Sequence, residues 1–538
     1  MAKILAFDVG TTGVKTCIVE AGSTLKLLAG VSAGYHLYLF PDGGAEQDQD
    51  EWWDAMCRTS REVLEQTGTK PDEIVGISFC SQMQGLVLVD REGKPVRRPM
   101  SYMDQRAKEE IREGMQKGIC VAGGNVFRLL RCIRTTGAAP LSVKDPVWKY
   151  KWVEKHEPEN FRRVYKWLDV KESLIARATG KFVMTRDSAF STMIYDTRKG
   201  HEGWSRELCR MFGVNMDHLP EIIECQDKAG MLQEGPAEEL GLQAGTPVFG
   251  GGGDATLIGV GAGAVGLGDT HIYQGTSGWV ETVTNKQTVD AFSMIAAIVG
   301  AEKDRFNYFA EMETAGKCLD WVKQHLALDE IGIYLEKHDV TEGRDAVCSS
   351  LFTYLTETIK KAQPGSGGVI FTPWLHGNRC PFEDPSSAGM FFNIHLETGK
   401  TELIRSVIEG ICFHLKWMLE CADKKVKSSQ NIRFVGGGAL SPVTCQILAD
   451  ILGRRIETVP GPQDVGSVGA AAVACQGLGY FDRLEDVRKM IPVMHTYEPT
   501  EDPEIRKIYD RNYGVFKKLY ADNRKNFSQL NGFMEGEL

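Results

Sequence analysis

The feature that most constrains the fold is a short hairpin that occurs twice. "GTTGVKT" at residues 10–16 and "GTSGWVE" at residues 275–281 each set a glycine–hydroxyl loop between two strand-like runs. At the first copy, residues 4–7 and 14–19 carry the apolar, β-branched pattern of strands, and Asp8 stands just before the loop. A P-loop or a dinucleotide fingerprint runs from a strand through glycines into a helix, so neither template fits a loop that returns as a strand. Four matching small residues can arise by chance; the shared strand–loop–strand setting is what favours duplication. Two related lobes, each offering one hairpin to a shared cleft, would grip a polyphosphate with backbone N–H groups and threonine hydroxyls from both sides.

Composition bounds the partners. A chain of 538 residues, 42% hydrophobic and 25% charged, reads as a soluble globular protein of two large domains. A net charge of −10 gives no electrostatic footprint for nucleic acid or an anionic membrane. The N-terminus does not read as a signal peptide. The longest nearly apolar run, residues 255–268, is glycine-rich and too short to span a bilayer. Fourteen cysteines without a C-x-x-C pair, and no H-E-x-x-H, point to reduced, mostly buried thiols in a cytoplasmic protein without structural zinc.

The first 250 residues read as mixed α/β. "EQDQDEWWDAMCRTSREVLEQTG" reads as a helix with acids in its first turn and Gly68 at its end. "IVGISFCSQMQGLVLVDREGKPV" reads as strand, polar turn, strand and hairpin, and residues 105–180 as mainly helical. The glycine-dense stretch 247–283 looks like a boundary. Helices dominate later, where Leu403, Val407, Ile411, Leu415 and Met418 recur at helical spacing. The tail from about Pro499 reads as a charged amphipathic helix packed across the surface. Two motifs are decoys. "GAGAVG" at 261–266 matches G-x-G-x-x-G but leads into a turn and a strand, and "ETGKT" at 397–401 lacks the first Walker glycine, Ile394 standing in its place.

Three places carry candidate chemistry. Asp254 follows four glycines and precedes an apolar helix-like run, so it is either an acid facing a cleft or a plain helix N-cap. "CSQMQG" at 80–85 and "YMDQR" at 102–106 flank a strand hairpin, as substrate hydrogen-bonders or as ordinary turn chemistry. "FVGGGALSPVTCQILADILG" is strand, glycine turn and helix, with Ser441 capping and Pro442 in first position. A nucleotide could rest on that turn, or the turn is only a tight strand–helix connection.

Taken in order, these segments resemble the FGGY carbohydrate kinases, above all their xylulokinase-like members. The likeness runs from residue 4 to about 480. It rests on "FDVGTTGVK", "EQDQDEWW", "GISFCSQMQGLVLVD", "YMDQRA", "PVWKYKWVEKHEPE", "GGGGDATLIGVGAG", "GTSG", "AGKCLDW", "HGNRCPFEDPSSAG", "ELIRSVIEG" and "FVGGGALSPVTCQILADILG". The resemblance implies an α/β fold of two actin-like, ribonuclease-H-like lobes with ATP and sugar in the cleft between them. It implies a first lobe of residues 1–254 with the sugar pocket, a second of 255–485 with the nucleotide site, and a helical extension over 486–538. By it, Asp254 is the catalytic base and touches substrate. Asp8 lies near Mg²⁺. Thr11, Thr12, Lys15, Gly275, Thr276, Gly316 and Gly438 contact ATP, and Met83, Gln84 and Asp104 line the sugar pocket.

Three positions depart from the family pattern. Ala255 follows the base where xylulokinases commonly have Asn and glycerol kinases Gln. Gln84 stands where xylulokinases often have His, and Pro442 takes the place of a nucleotide-side Asn of glycerol kinases. The first two bear on which sugar fits, and the third on how the nucleotide is held. The expected activity is ATP- and Mg²⁺-dependent phosphorylation of a terminal hydroxyl of a ketopentose or similar polyol. The rivals are a kinase for another sugar, such as a tetritol or hexose derivative, and a non-catalytic sugar- or ATP-sensing protein of the same fold. Partners beyond the small sugar are not expected among nucleic acids or membranes, and homodimer formation is left open.

Overall fold

The computed structural model describes residues 2–121, 123–326 and 356–532. Its frame is two mixed β-sheets with one plan. In the first, β1 (Ala2–Val9), β2 (Gly13–Ala21) and β3 (Leu25–Gly34) form an antiparallel meander. The helix α1 (Gln49–Thr67) follows, and the chain returns as β4 (Ile74–Ser81), parallel to β1. β5 (Lys228–Met231) and β6 (Pro247–Phe249) complete the order β5-β6-β4-β1-β2-β3, with β6 parallel to β4. In the second sheet the meander is β7 (Thr270–Gln274), β8 (Gly278–Thr284) and β11 (Phe306–Met312), extended at its edge by β9 (Val289–Asp290) and β10 (Ile295–Val299). Beyond β7 lie β12 (Asn431–Val435), parallel to it, then β13 (Arg455–Thr458), parallel to β12, and β14 (His495–Tyr497).

Counting the meander strands as 1-2-3 and the next two strands beyond strand 1 as 4-5, both sheets contain the order 3-2-1-4-5, as β3-β2-β1-β4-β6 and β11-β8-β7-β12-β13, with the same mixture of antiparallel and parallel pairs. The two glycine–hydroxyl loops are the 1-2 turns of these meanders. That equivalence is why the short repeat in the sequence had structural meaning.

Local chemistry sets the helix ends as expected. Asp48 caps α1 by accepting the Asp50 N–H, and Gly68 closes it in the left-handed region at φ 62°. In the second lobe, α5 (Gly316–His325) follows β11, and α6 (Lys400–Ala422) buries Val407, Ile411, Leu415 and Met418 against the sheet. Then α7 (Pro442–Leu452) starts on the Ser441 cap.

Two helices join the lobes. α4 (Asp254–Gly261) leads out of the first sheet, and α8 (Val465–Gly477), though late in the chain, packs on β1, β2 and β4. They cross closely because each has glycine at the contact. A Cβ on Gly261 would overlap the Val465 carbonyl, and one on Gly469 would overlap the Leu257 carbonyl. Leu257, Ile258, Val260, Val465, Val468 and the alanines 470–472 and 474 share one core cluster with Ile4, Ala6, Cys17 and Val19 of the first sheet.

The tail differs from expectation. α9 (Pro503–Asn531) does not simply lie on the surface: Tyr509, Tyr513, Phe516, Leu519 and Phe527 enter the second core beside α6. Its aromatic residues recur on one helical face, and a mean hydropathy dominated by its charges hid them. Residues 533–538 of the expected extension lie outside the described residues.

Candidate active site

The first hairpin is a tightly closed loop. The loop closes with the Gly10 N–H donating to the Gly13 carbonyl at 2.9 Å, and Tyr35 Oη donates to the Gly10 and Gly13 carbonyls. Among the described residues, the main-chain N–H groups of Thr11, Thr12 and, in the second hairpin, Thr276 have no hydrogen-bond partner. Thr12 and Thr276 are exposed and Thr11 is half-buried. Donors without partners on two loops suit an anion.

The second hairpin is braced by the helix behind it. The Gly316 N–H donates to the Gly275 carbonyl at 2.7 Å, and the Ala315 and Lys317 N–H groups donate to the Thr276 carbonyl. Gly316 must lack a side chain, because a Cβ would overlap the Gly275 carbonyl. The third glycine turn closes on the same strand end. A Cβ on Gly438 would fall 2.6 Å from Cδ of Gln274, and one on Gly436, at φ 88°, would fall 2.6 Å from the Gln274 carbonyl. Gly275, Thr276, Gly316 and Gly438 are thus brought together. So is Gln274, whose buried amide has no partner at either end among the described residues.

Asp8 is the last residue but one of β1, and Asp254 opens α4 close enough to feel its charge. Burial pushes the Asp8 carboxyl up to about 6, against the pull of Lys15 and a hydrogen bond from Cys80. Burial pushes Asp254 up to about 7, the Ala255 N–H opposes the shift, and the charges of Asp8 and Glu311 add to it. Asp254 is not the N-cap of α4; that residue is Gly253, and Asp254 is the first helical residue, accepting the Ala255 N–H at 2.8 Å. Two desolvated, mutually repelling carboxylates facing one cleft form an oxygen donor set that a hard divalent cation would fit, since Mg²⁺ needs only one or two protein carboxylates.

The other expected site residues are distributed less simply. Met83 packs against the backbone of Gly253, next to Asp254. Gln84 sits at φ 62°, its carbonyl accepting from Lys149 Nζ at 2.8 Å. Lys149 is fully buried, and that burial lowers its pKa to about 8. Asp104 does not face the cleft openly: it is 0% exposed, and its carboxylate accepts from the Ala45 and Arg106 N–H groups and from the Arg106 guanidinium. The residue of that loop that reaches the cleft is Tyr102, whose hydroxyl lies 3.4 Å from Thr11 Oγ1 and feels the charges of Asp254, Glu311 and Glu313. Lys15 is turned to Asp464, 2.7 Å away, at the start of α8. From the second lobe, Glu311 pairs with Arg379 at 2.7 Å.

Sequence reasoning placed Tyr102 in a candidate stretch but singled out Asp104 there, and it missed Asp464 and Gln274. Asp464 had a readable signal, since, like Asp254, it is an acid directly ahead of a helix rich in small residues. Tyr102 and Gln274 had none, because which way a loop or strand-end side chain turns depends on partners distant in sequence.

The model of the FGGY family of carbohydrate kinases, N-terminal domain, matches residues 3–261, and that of the C-terminal domain matches residues 271–478. A xylulose kinase of Bacillus subtilis is 27% identical, with 99% of this chain and 99% of that protein covered. A gluconokinase of the same organism is 25% identical over 99% of this chain and 98% of its own. The solved structure of a ligand-bound xylulose kinase from Lactobacillus acidophilus superposes with a TM-score of 0.82 at 24% identity, covering 98% of this chain and all of that one, so the two-lobed fold is the same. No helix among the described residues is long and apolar enough to cross a membrane. With both family domains matched in order across the two lobes that build this cleft, the chain belongs to the FGGY family of carbohydrate kinases and is a sugar kinase that uses ATP as phosphate donor.

Proposed function

We propose that the protein transfers the γ-phosphate of ATP to a terminal hydroxyl of a ketopentose or a closely related polyol, as the xylulose kinases it is similar to are named for. The observation that carries this reading is the pair Asp8 and Asp254, two desolvated carboxylates flanked by partner-free N–H groups of both hairpins. On this reading the first lobe is residues 1–254 and the second 255–485, with 486–538 as an extension of the second. Asp8 would hold a Mg²⁺ ion, and the chemistry that ion would supply is neutralisation of the negative charge of the nucleotide phosphates. Thr11, Thr12 and Thr276 orient the phosphates through N–H and hydroxyl donors, Gly275 and Gly316 let the backbone approach them, and Gly438 floors the nucleotide. Phosphoryl transfer is mainly positioning and charge stabilisation, which such loops provide.

Asp254 takes the proton of the attacking hydroxyl, and Met83, Gln84 and Tyr102 wall the sugar. Asp104 acts through Arg106 as the anchor of its loop. Lys15 joins the phosphate loop to α8 through Asp464 as well as adding positive charge. We place the protein in the cytoplasm, where its thirteen described free cysteines would stay reduced.

A base works only when ionised, so the raised pKa of Asp254 has a definite sign. kcat/KM should fall about tenfold per pH unit as the pH drops below about 7, rather than below the usual carboxylate range. A pH–rate profile with Mg·ATP and sugar both well below saturation, which reports the free enzyme, reads this, and activity flat down to pH 5 would contradict it.

Substrate choice is tested at Ala255. This methyl removes an amide that would hydrogen-bond substrate, a contact worth about 0.5–1.5 kcal/mol net, and frees space beside the reacting hydroxyl. Weak activity on D-xylulose, or a better substrate that differs in stereochemistry or bulk at that edge, is therefore expected. Gluconate belongs in the panel because gluconokinases match the chain as fully as xylulose kinases do. Ala255→Asn should raise kcat/KM for D-xylulose relative to the native substrate. If the unmodified enzyme already prefers D-xylulose to every other sugar tested, Ala255 does not mark a changed specificity.

A further inference from the structure

The backbone that carries Asp254 is held from behind by a carboxylate. α4 starts on Gly253, which has no side chain to cap it, and its third helical residue is Thr256. In a capping box that third position carries Glu or Gln, reaching back to the N–H of the N-cap residue. Here the acceptor comes from another part of the chain: Asp187, on the short helix Arg186–Ser191, accepts the Gly253 N–H through Oδ2 at 2.7 Å. The approach is close enough that a Cβ on Gly252 would lie 3.1 Å from the same oxygen.

Asp187 is 1% exposed, so its charge needs support. Burial opposes ionisation, but Lys171, the Thr185 hydroxyl at 2.5 Å and the Gly253 N–H outweigh it and hold the carboxyl below its ordinary range. Lys171 is itself fully buried and fixed by Thr185 Oγ1 at 2.6 Å, Ser188 Oγ at 2.9 Å and the neighbouring Glu172. Asp187 is thus a held acceptor: the Thr185 hydroxyl and the Cys225 thiol reach Oδ1, which leaves Oδ2 to the Gly253 N–H. Its one bond toward the cleft goes to the peptide directly before Asp254.

We propose that Asp187 is a positioning residue of the phosphoryl transfer, supplying in trans the cap that α4 lacks and fixing the aim of Asp254 through the Gly253 N–H. It touches neither sugar nor nucleotide; its effect passes through Asp254. The proposal rests on Asp254 being the base, and the test separates the two ideas.

Turnover and Michaelis constants would be measured for Asp187→Ala, Asp187→Asn, Asp254→Asn and the double variant Asp187→Ala with Asp254→Asn. Asp187→Ala should lower kcat about 30- to 100-fold, with KM for sugar and ATP within threefold of the parent. Asp187→Asn, which keeps an acceptor of the same shape, should recover most of that loss and serves where the alanine variant does not fold. In the Asp254→Asn background, removing Asp187 should cost less than threefold, because a base that is absent cannot be misaimed. A loss that multiplies fully in the double variant, a rise in both KM values parallel to the fall in kcat, or normal turnover in Asp187→Ala would overturn the proposal. Normal turnover in Asp254→Asn would instead remove the base assignment on which it stands.

Discussion

Asp254→Asn is expected to lower turnover by roughly 10²–10⁴-fold, the usual worth of a general base, while sugar binding and folding stay nearly unchanged. The substitution is close to isosteric, and the asparagine oxygen can still accept the Ala255 N–H that Asp254 Oδ1 accepts at 2.8 Å. What is lost is a group poised to titrate. Burial and the charges of Asp8 and Glu311 raise Asp254 to about 7, near the pH at which a base combines adequate ionisation with adequate basicity. The check is kcat beside calorimetric sugar affinity for both proteins. Near-normal turnover would mean that the proton leaves by another route.

The second large effect concerns stability. Gly469→Val should cost about 3 kcal/mol or more, the upper range for forcing volume into a packed contact, and should leave little folded protein at growth temperature. The overlap is with backbone, the Leu257 carbonyl of α4, and it recurs from the other helix, where Gly261 meets the Val465 carbonyl. No side-chain rotation relieves either clash. Any relief would need α4 and α8 to move apart, opening the cluster in which they pack on β1 and β2 and displacing Asp254 at the head of α4. Thermal unfolding followed by circular dichroism measures it. A Gly469→Val protein of parental stability would contradict the close crossing.

How far the sequence carried this account depends on how local each feature is. The loops at Gly10 and Gly275, the α1 cap at Asp48 with its Gly68 stop, and the Ser441–Pro442 start of α7 were legible, because each is decided within a few residues by φ/ψ preference or a single side-chain bond. The pairing of α8 with the first sheet was not, since a small, uniformly apolar helix such as "VGSVGAAAVACQG" has no polar face to show which neighbour it seeks. The same limit applies in the site. Asp104 and Tyr102 are two residues apart in one polar turn, and only Arg106 folding back on Asp104 decides that the tyrosine is the one turned to the cleft. Lys15 follows a glycine loop, as a phosphate ligand would, but its pairing with Asp464 spans 449 positions and has no local trace.

The central claim is that this cleft passes phosphate from ATP to a sugar hydroxyl, and ³¹P NMR of a reaction mixture tests it most directly. With Mg·ATP and the preferred sugar of a ketopentose, polyol and aldonate panel, the account predicts loss of the γ-phosphate resonance. A phosphomonoester on a terminal carbon should appear in step with ADP, and both changes should vanish without sugar and in Asp254→Asn. ADP formed with free phosphate at a rate indifferent to every sugar, or ATP and sugar bound with no new phosphomonoester, would contradict it.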